Sequence, residues 1–535
     1  MTDPAATILA ELTAAGGEFE VVSEDGRPPT FAHRRASLRA WLDDSVAFGD
    51  RDYLVQGDER ITYAQFFPRV AELASILTDE YGVEPGDRVA ILAANSPTWI
   101  TAFWAASSLG AVVAAGNAWW TPREAAQSLQ RADPKVVVAD ERRAPLVGGL
   151  PVLRTESLRE NLGRHASASM SLVDIDEDAP AVIVYTSGTT GTPKGAVHSH
   201  RGLLAIIEYH RMMDAYGAAM AAAFGMPART EPRRFLMSMP LFHIASLHNL
   251  AIPRLATGDS VIIDRGAFDP DRVLSLIERE RVTNWAVVPT MAHRIADRAS
   301  SYDLSSLSAL SINSAPSAPA LKDRVRAAVP SVAASIIDSY GLTESGTAAT
   351  LAGPVDLAVA PTSVGRPVAS VVVEIRDEDG KVVAEGEDGE IWIRSQFSMI
   401  GYWNDADATV RAMPGDGWLR TGDIGFMRDG RLYMSTRRSD LILRGGENVY
   451  PAEIEAVLDE HPSVLEAAVF GIDHPDLGQE VSALIVLSSP IDEDELRAFV
   501  AERVAYYKVP SRWRFSSDPL PRTATGKIVR SGLRG

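Results

Sequence analysis

Cysteine is absent from this chain of 535 residues. Disulfide bonds, thiolate metal sites and a cysteine nucleophile are therefore excluded together. If thiol chemistry takes place on this protein, the thiol must belong to a substrate, because the chain itself supplies none.

Long apolar runs and a basic leader are also absent. No stretch approaches the roughly 18 to 20 uncharged apolar residues that a membrane span needs, so we expect no integral membrane association. Residues 1–17 lack the basic start of a signal peptide, and we therefore expect a cytoplasmic location.

The chain has fewer basic than acidic residues, 52 Lys and Arg against 71 Asp and Glu, which gives a formal net charge of -19. This balance argues against a nucleic-acid partner, because phosphate backbones are bound by clustered basic side chains. An anionic ligand must then be held by local donors rather than by the overall field of the protein.

The length and an apolar content of 46% exceed what one core needs and indicate a large body with at least one further domain. Short apolar strands alternate with amphipathic helical runs, a pattern typical of an α/β fold. The predicted strands are 235–239, 260–264, 282–288, 309–313 and 335–340, and the predicted helices between them include 272–281 and 321–328.

The pattern of predicted secondary structure changes twice along the chain. After residue 370, alternating strands joined by Asp-Gly turns predict a β-rich subdomain. From about residue 440, two helical and two strand segments predict a small α+β domain. We also predict a surface loop or lid over residues 216–234.

Residues 186–195, with the sequence Thr-Ser-Gly-Thr-Thr-Gly-Thr-Pro-Lys-Gly, follow a segment that reads as a buried strand at 181–185. The glycines allow a tight turn with amide hydrogens facing an anion, and the hydroxyls and the ammonium add donors for phosphate oxygens. Pro193 stands where the P-loop NTPase pattern requires its second glycine, so this is a different phosphate loop. A surface linker of small polar residues is the alternative. The residues expected to hold phosphate are Thr186, Ser187, Gly188, Thr189, Thr190, Gly191 and Lys194.

Four further motifs follow this loop in the chain. They are Tyr340-Gly341-Leu342-Thr343-Glu344, Thr421-Gly422-Asp423, the segment 444–455, and Pro521-Arg522-Thr523-Ala524-Thr525-Gly526-Lys527. Together with the loop they occur in the order and spacing of the adenylate-forming acyl-CoA synthetases, which the chain resembles from about Leu38 onward. Any one motif would be weak evidence, whereas five in this order make coincidence negligible.

The resemblance implies an α/β fold with a large N-terminal AMP-binding domain at 1–438, a β-rich subdomain at about 370–435, and a small mobile α+β domain at 439–535. It also implies two half-reactions. A carboxylic acid and ATP with Mg²⁺ give an acyl-adenylate and pyrophosphate, and the thiol of CoA then displaces AMP. Fatty acid metabolism is the expected setting, and the oligomeric state is left open, a homodimer included.

The same resemblance assigns the catalytic residues. Lys527 would bridge the carboxylate oxygen and the α-phosphate as negative charge redistributes, which suits a flexible ammonium arriving from another domain. Thr343 would contact the α-phosphate. Glu344 would bind Mg²⁺, an oxygen-seeking cation, although a solvated surface carboxylate is the alternative.

The resemblance also assigns contacts to the nucleoside and to CoA. Asp423 would accept hydrogen bonds from both ribose hydroxyls with the assistance of Arg437, although Thr436 replaces the glycine usual before that arginine. Ser439 stands at the hinge, where relatives commonly carry a charge. The segments matched to adenine contain Ser314, Ala315, Pro316, Asp338, Ser339, Tyr340 and Gly341, and Gly445 and Gly446 would let the backbone approach pantetheine. Tyr340 is also compatible with a simple core position.

The acyl pocket would be lined by His243, Trp285, Met291 and Asn313. Amino-acid-activating relatives usually carry an aspartate shortly after the preceding phenylalanine, so His243 disfavours an amino acid. This histidine would either gate the pocket or be a satisfied core residue. Many relatives have glycines at Asn313 and Ser314, and side chains there would narrow or polarise the channel, so a long straight fatty chain is not assured.

Three functions stay open at this stage. An acid–CoA ligase is favoured, because the sequence shows no carrier domain. A stand-alone adenylating ligase that loads a carrier protein or another nucleophile comes second. A luciferase-like oxygenating relative, or a binding protein that has lost catalysis, comes third.

Overall fold

The computed structural model of the protein describes residues 4–23, 26–163, 170, 173–186, 193–227, 229–313, 319–437, 440–444, 447–474, 477–504, 506–522, 528–530 and 533. Its helices α1 to α15 are, in chain order, Pro4–Leu12, Leu38–Ser45, Tyr63–Asp79, Pro97–Ser108, Pro122–Ala132, Thr155–Asn161, His200–Ala223, Ile252–Leu255, Pro270–Glu280, Pro289–Ala296, Pro319–Ala328, Pro354–Val359, Ala406–Ala412, Pro451–Asp459 and Glu493–Ala501.

Its strands β1 to β27 are, in chain order, Val21–Val22, Thr30–Phe31, Asp52–Gln56, Glu59–Thr62, Arg88–Leu92, Val112–Ala115, Val136–Ala139, Val152–Arg154, Pro180–Thr186, Lys194–Ser199, Arg234–Met237, Ser260–Ile263, Asn284–Val287, Ala309–Ile312, Ile336–Tyr340, Thr350–Ala352, Arg366–Pro367, Val371–Arg376, Gly389–Ser395, Gly401–Tyr402, Trp418–Arg428, Arg431–Arg437, Ile442–Arg444, Glu447–Val449, Val464–His474, Gly478–Leu487 and Arg512–Ser516. Short 3₁₀ turns lie at Val46–Phe48, Ala144–Leu146, Ala299–Ser301, Pro330–Val332, Thr343–Ser345 and Tyr506–Lys508, and a π-helical turn at Leu247–Ala251 leads into α8.

Two large sheets form the body of the protein. Among the described strands the first sheet has the order β20-β10-β9-β6-β5-β7-β8, and the second has the order β17-β16-β15-β14-β13-β11-β12-β3-β4. The second sheet is parallel from β3 to β15 through β12, β11, β13 and β14. Its carboxyl edge is therefore where an α/β sheet binds ligands.

One core joins the two sheets. It contains side chains of both sheets together with side chains of α3, α4 and α7. Helix α4 is buried along its whole length, and it is apolar or small on every side, as a helix in a core must be. The two sheets are thereby packed together through a shared core.

Two smaller sheets follow. The described strands β18, β19, β21 and β22 form an antiparallel sheet, which confirms the β-rich subdomain predicted after residue 370. Strands β23 to β27 form a sheet that packs with α14 and α15 around its own core, which confirms the small α+β domain. The boundary between residues 438 and 439 lies outside the described residues and stays a prediction.

The predicted loop at 216–234 is wrong in its first part. Helix α7 continues to Ala223, because the alanine-rich sequence there favours a helix and not a loop. Within the predicted range 216–234, the described residues that lack regular structure are those between α7 and β11. Across the described parts of the chain, we find no helix with the length and apolar character that crossing a membrane would require.

Candidate active site

The two ends of the phosphate loop lie opposite each other. Thr186 ends β9, Lys194 begins β10, and the two are paired in an antiparallel register. The Lys194 ammonium lies 5.3 Å from the centre of the Tyr402 ring, which belongs to the next strand of the sheet. A side chain at Gly195 would come within 2.5 Å of Ile183, so only glycine fits at the exit of the loop.

The motif that contains Thr343 and Glu344 forms a 3₁₀ turn just beyond β15. Glu344 is half-buried, and its carboxylate accepts a hydrogen bond of 2.7 Å from the hydroxyl of Tyr402. Burial and the Glu344 carboxylate raise the pKa of Tyr402, so the hydroxyl stays protonated and donates. The turn closes at Gly346, whose φ of 75° and contact with the Phe397 carbonyl leave no space for a side chain.

Two buried histidines hold this turn from behind. His198 Nε2 lies 3.0 Å from the carbonyl of Thr343, and His248 Nδ1 lies 2.9 Å from the carbonyl of Gly346. The two rings meet edge to face with centres 4.8 Å apart. Burial lowers the pKa of His198 to about 4 and the pKa of His248 well below its usual value, so both are neutral donors. No sequence pattern identified them, since they lie in β10 and the π-helical turn, far from Thr343 along the chain.

The carboxylate expected at the ribose is also held by a tyrosine. Asp423 in β21 is 4% exposed and accepts a hydrogen bond of 2.7 Å from the Tyr340 hydroxyl. Tyr340 is buried, in agreement with the core alternative, and its hydroxyl nevertheless reaches Asp423. The register pairs Asp423 with Arg437 in β22, of which only the backbone is described.

The side chains of the segment expected at adenine lie on two different faces of the second large sheet. Asp338 turns into the core, where its carboxylate pairs with the buried ammonium of Lys322 at 2.8 Å. Ser339 points to the other face, and its hydroxyl donates to Asn313 Oδ1 at 2.9 Å. Gly341 follows at the end of β15, half-buried at the start of the turn.

The four residues expected at the acyl pocket also lie in different places. Trp285 is 3% exposed within a core, and its indole nitrogen donates to Ser238 at 2.8 Å. Met291 on α10 packs against the same core. His243 is half-buried beside the ring of Phe242, while Asn313 is half-buried directly after β14. The structure thus joins Asn313 to Ser339 and places Trp285 and Met291 behind the sheet.

Several expected contacts lie outside the described residues, namely Ser187, Gly188, Thr189, Thr190, Gly191, Ser314, Ala315, Pro316, Gly445, Gly446 and Lys527. The stems beside residues 523–527 are described, and both are anchored. Arg522 pairs with Glu466 at 3.1 Å, and Arg530 pairs with Glu455 at 2.7 Å and with Asp440 at 3.3 Å. The base of the segment that carries Lys527 is therefore fixed to the C-terminal domain.

The fold and the candidate site indicate a nucleotide-binding enzyme with a second, smaller domain. The family model of the AMP-binding enzymes matches residues 42–403, and the model of the AMP-binding enzyme C-terminal domain matches residues 453–527. The chain therefore belongs to the adenylate-forming acyl-CoA synthetase family. As a member of it, the chain is an AMP-forming acid–CoA ligase.

Three similar proteins illustrate this relationship. A 2-succinylbenzoate–CoA ligase of Bacillus licheniformis is 33% identical over 490 residues, covering 90% of this chain and 96% of the relative. The o-succinylbenzoate CoA synthetase of Bacillus subtilis, solved with ATP and a magnesium ion, has a TM-score of 0.77 and 29% identity over 92% of this chain and 99% of its own. The amide bond synthetase McbA of Marinactinospora thermotolerans has a TM-score of 0.79 and 31% identity over 93% of this chain and 99% of its own.

Proposed function

We propose that this chain uses ATP with Mg²⁺ to convert a carboxylic acid into an acyl-adenylate and then transfers the acyl group to free CoA. One observation carries the proposal: three sheets converge on one site through two tyrosines. Tyr402 connects the first large sheet to Glu344, and Tyr340 connects the second large sheet to Asp423 in the antiparallel sheet. The residue expected at the metal and the residue expected at the ribose are thereby both connected to segment 340–344, which contains Thr343.

The nucleotide would be held between Asp423 and the phosphate loop. Asp423 offers two acceptor oxygens to the vicinal hydroxyls of the ribose. Lys194, where β10 begins, would bring an ammonium to the phosphates and offset negative charge there. Thr343, in the 3₁₀ turn beyond β15, would offer a hydroxyl to the α-phosphate. Because a carboxylate must attack an already anionic phosphate, positioning and charge neutralisation supply most of the acceleration.

The metal ion fits the residues that are present. Glu344 is a half-buried carboxylate with one oxygen occupied by Tyr402, and oxygen ligands of this kind suit Mg²⁺, which is commonly bound through one carboxylate with substrate phosphates and water. When bound, Mg²⁺ neutralises charge on the triphosphate as pyrophosphate leaves. Glu344 would hold it, and Tyr402 would keep the carboxylate directed at the site.

Lys527 would act in the adenylation step, where its ammonium stabilises the charge shared by the attacking carboxylate and the α-phosphate. The ion pairs of Arg522 and Arg530 support this role, because they attach the residues on both sides of the segment that carries Lys527 to the C-terminal domain. Gly445 and Gly446 would serve the second step, in which the backbone lies close to pantetheine.

A cytoplasmic location, a homodimer and a role in fatty acid metabolism remain predictions.

The second candidate function is an adenylating ligase that transfers the acyl group to an acceptor other than free CoA. The similarity to an amide bond synthetase favours it, because that neighbour matches this chain as well as the CoA synthetase structure does. A carrier-protein thiol belongs to the same alternative. The two candidates share the first half-reaction and differ only in the nucleophile that displaces AMP.

The experiment that tests the proposal measures the two half-reactions separately. Pyrophosphate release would be followed over a panel of carboxylic acids, and acyl-AMP and acyl-CoA would be detected by mass spectrometry. We expect pyrophosphate release with at least one acid, and a thioester only when CoA is added. Acyl-AMP that persists in the presence of CoA would favour the other acceptors, and no pyrophosphate with any acid would refute the proposal.

A further inference from the structure

An almost completely buried ion pair lies on β15, two residues before the end of that strand. The Lys322 ammonium on α11 lies 2.8 Å from the Asp338 carboxylate on β15, and the two side chains are 2% and 4% exposed. The same ammonium donates to the carbonyl of Pro361, beyond α12, at 3.3 Å. Lysine and aspartate are almost never buried to this extent unless they are paired. Lys322 thus joins three segments of the chain at one point, although no motif identified it.

The layer around this ion pair is otherwise apolar. Side chains alternate between the two faces of a strand, so Ile336, Asp338 and Tyr340 share one face of β15. Ile312 of β14 pairs in register with Asp338, and Ile336 belongs to the same core as Leu321 of α11. Helix α11 therefore packs on this face, and the two charges lie between the helix and the strand.

Stability alone does not account for two charges in this layer. Each charge loses its hydration on burial, and an apolar pair of similar volume in such a place is often as stable or more stable. What the ion pair adds is direction. Its atoms must meet within hydrogen-bond distance, whereas contacts between apolar side chains are not directional. The pair therefore specifies how α11 lies against β15.

The two elements that the pair joins are adjacent to the two segments expected at adenine. Residues 314–316 precede α11, which begins at Pro319, and Lys322 is the fourth residue of that helix. Residues 339–341 follow Asp338 directly. The ion pair thus links the helix that follows one expected adenine segment to the strand that contains the other.

The same face of β15 also makes the contact to the residue expected at the ribose. Tyr340, two residues after Asp338, donates to Asp423 at 2.7 Å. Asp338 accepts the backbone N–H of Ser339 at 2.9 Å as well as the Lys322 ammonium, so its carboxylate has a fixed position on the strand. A shift of β15 relative to α11 would therefore change the position of Tyr340 relative to the residues that precede α11.

We infer that Lys322 is a positioning residue for the adenine end of the nucleotide: by holding Asp338, it sets β15 against α11 and so sets the separation of the two segments that would enclose the base. This inference rests on the proposed function, because it assumes that a nucleotide binds beside Asp423. Since Lys322 is buried, it acts through Asp338 and not by contact with the nucleotide.

The test compares the wild-type protein with Lys322→Met and with the double variant Lys322→Met/Asp338→Asn. The single variant leaves a buried carboxylate without its ammonium, which is strongly destabilising. The double variant removes both charges and keeps an oxygen at position 338, so it changes the positioning without removing an acceptor from that position. Arg326→Met is the matched control, because Arg326 lies on the same helix and pairs at 2.8 Å with the exposed Asp323.

Calorimetry would measure the binding of two probes in the presence of Mg²⁺. AMP contains the base and the ribose, whereas inorganic tripolyphosphate contains only the phosphate part of the nucleotide. Thermal unfolding of each variant would be measured beside them. These measurements need no turnover and depend on neither the acid nor the acyl acceptor. The KM values for ATP and for the acid would then be compared by pyrophosphate release.

We expect the double variant to bind AMP about tenfold more weakly than the wild type, within the loss that a small misplacement of binding groups can cause. Its affinity for tripolyphosphate should not change. The KM for ATP should rise by about the same factor while the KM for the acid stays as it is. The unfolding temperature of the double variant should equal or exceed that of the wild type, because removal of both charges of a buried pair is often neutral or stabilising. Arg326→Met should alter none of the affinities.

Equal AMP affinity in the double variant and the wild type would overturn the inference. An equal loss of affinity for AMP and for tripolyphosphate would also overturn it, because the effect would then not be confined to the adenine end. AMP binding by the wild type without any pyrophosphate release would contradict the proposed function and leave the inference standing. No AMP binding by the wild type would refute both.

Discussion

The hydroxyl of Tyr402 donates a hydrogen bond of 2.7 Å to the carboxylate of Glu344 and so connects two residues that are 58 positions apart in the chain. The ring of the same tyrosine lies under the ammonium of Lys194. One side chain therefore contacts both the residue expected at Mg²⁺ and the residue that ends the phosphate loop. From these two contacts we predict that Tyr402 positions Glu344 for the expected Mg²⁺.

Replacement of Tyr402 by phenylalanine should raise the Mg²⁺ concentration needed for half-maximal pyrophosphate release by about three- to tenfold. Without the hydroxyl, Glu344 is no longer held in one orientation, and hydrogen bonds to charged groups are worth about 1.5 to 3 kcal/mol, part of which water replaces. A magnesium titration at saturating ATP and acid measures the shift. Tyr433→Phe, which removes a hydroxyl from β22 outside the site, should show none, and an unchanged Mg²⁺ requirement in Tyr402→Phe would disprove the positioning role.

Replacement of Tyr340 by phenylalanine should act on the other end of the nucleotide. Asp423 is buried and accepts the Tyr340 hydroxyl at 2.7 Å, so the variant leaves this carboxylate less well oriented towards the ribose. We expect the KM for ATP to rise by about tenfold, which corresponds to about 1.4 kcal/mol, while the Mg²⁺ requirement stays the same. Initial rates at varied ATP measure this. If the KM for the acid rose and that for ATP did not, the assignment of Asp423 to the ribose would fail.

The sequence allowed the regular elements to be predicted better than the contacts between them. The strand predicted at 181–185 is observed as Pro180–Thr186, and the helix predicted at 321–328 lies within Pro319–Ala328. These predictions succeed because apolar periodicity and proline positions are local signals. The loop predicted at 216–234 failed in part, because aromatic and glycine residues masked the helical preference of the alanines before Ala223.

The site was predictable only where a motif contains its own residues. Glu344, Asp423 and Tyr340 belong to short motifs, whereas Tyr402, which holds Glu344, and the two histidines that hold the turn come from other elements. Such contacts depend on which strands become neighbours, and no local pattern encodes that. Trp285 illustrates the same limit, since one position of shift along β13 decides whether a side chain faces the ligand or the core.

The two histidines behind the turn make stability depend on pH. Burial lowers the pKa of His198 from 6.5 to about 4, so the unfolded chain binds this proton more readily than the folded protein. The free energy of unfolding should therefore be largest above pH 6.5 and fall as the pH drops towards 4, by up to about 1.4 kcal/mol per pH unit for each such histidine. Urea unfolding between pH 4.5 and 7.5 measures the slope.

The variant His198→Asn keeps a donor near the Thr343 carbonyl but does not titrate, so its slope should be smaller than that of the wild type. The exposed His33 provides the control, because His33→Asn changes no buried group. Equal slopes for the wild type and His198→Asn would show that the pH dependence comes from other residues.

Replacement of Lys527 by alanine should separate the two half-reactions. The ammonium would be needed where charge builds up between the attacking carboxylate and the α-phosphate, and removal of one such donor costs about a hundred- to a thousandfold in rate. Thiolysis of an acyl-adenylate has no such step, so the variant should still convert supplied acyl-AMP and CoA into acyl-CoA at nearly the wild-type rate. Pyrophosphate release and single-turnover thiolysis measure the two halves. Lys381→Ala, which removes an exposed ammonium from the β-rich subdomain, should change neither rate. Equal losses in both halves of Lys527→Ala would mean that the lysine supports the whole C-terminal domain and has no particular role in adenylation.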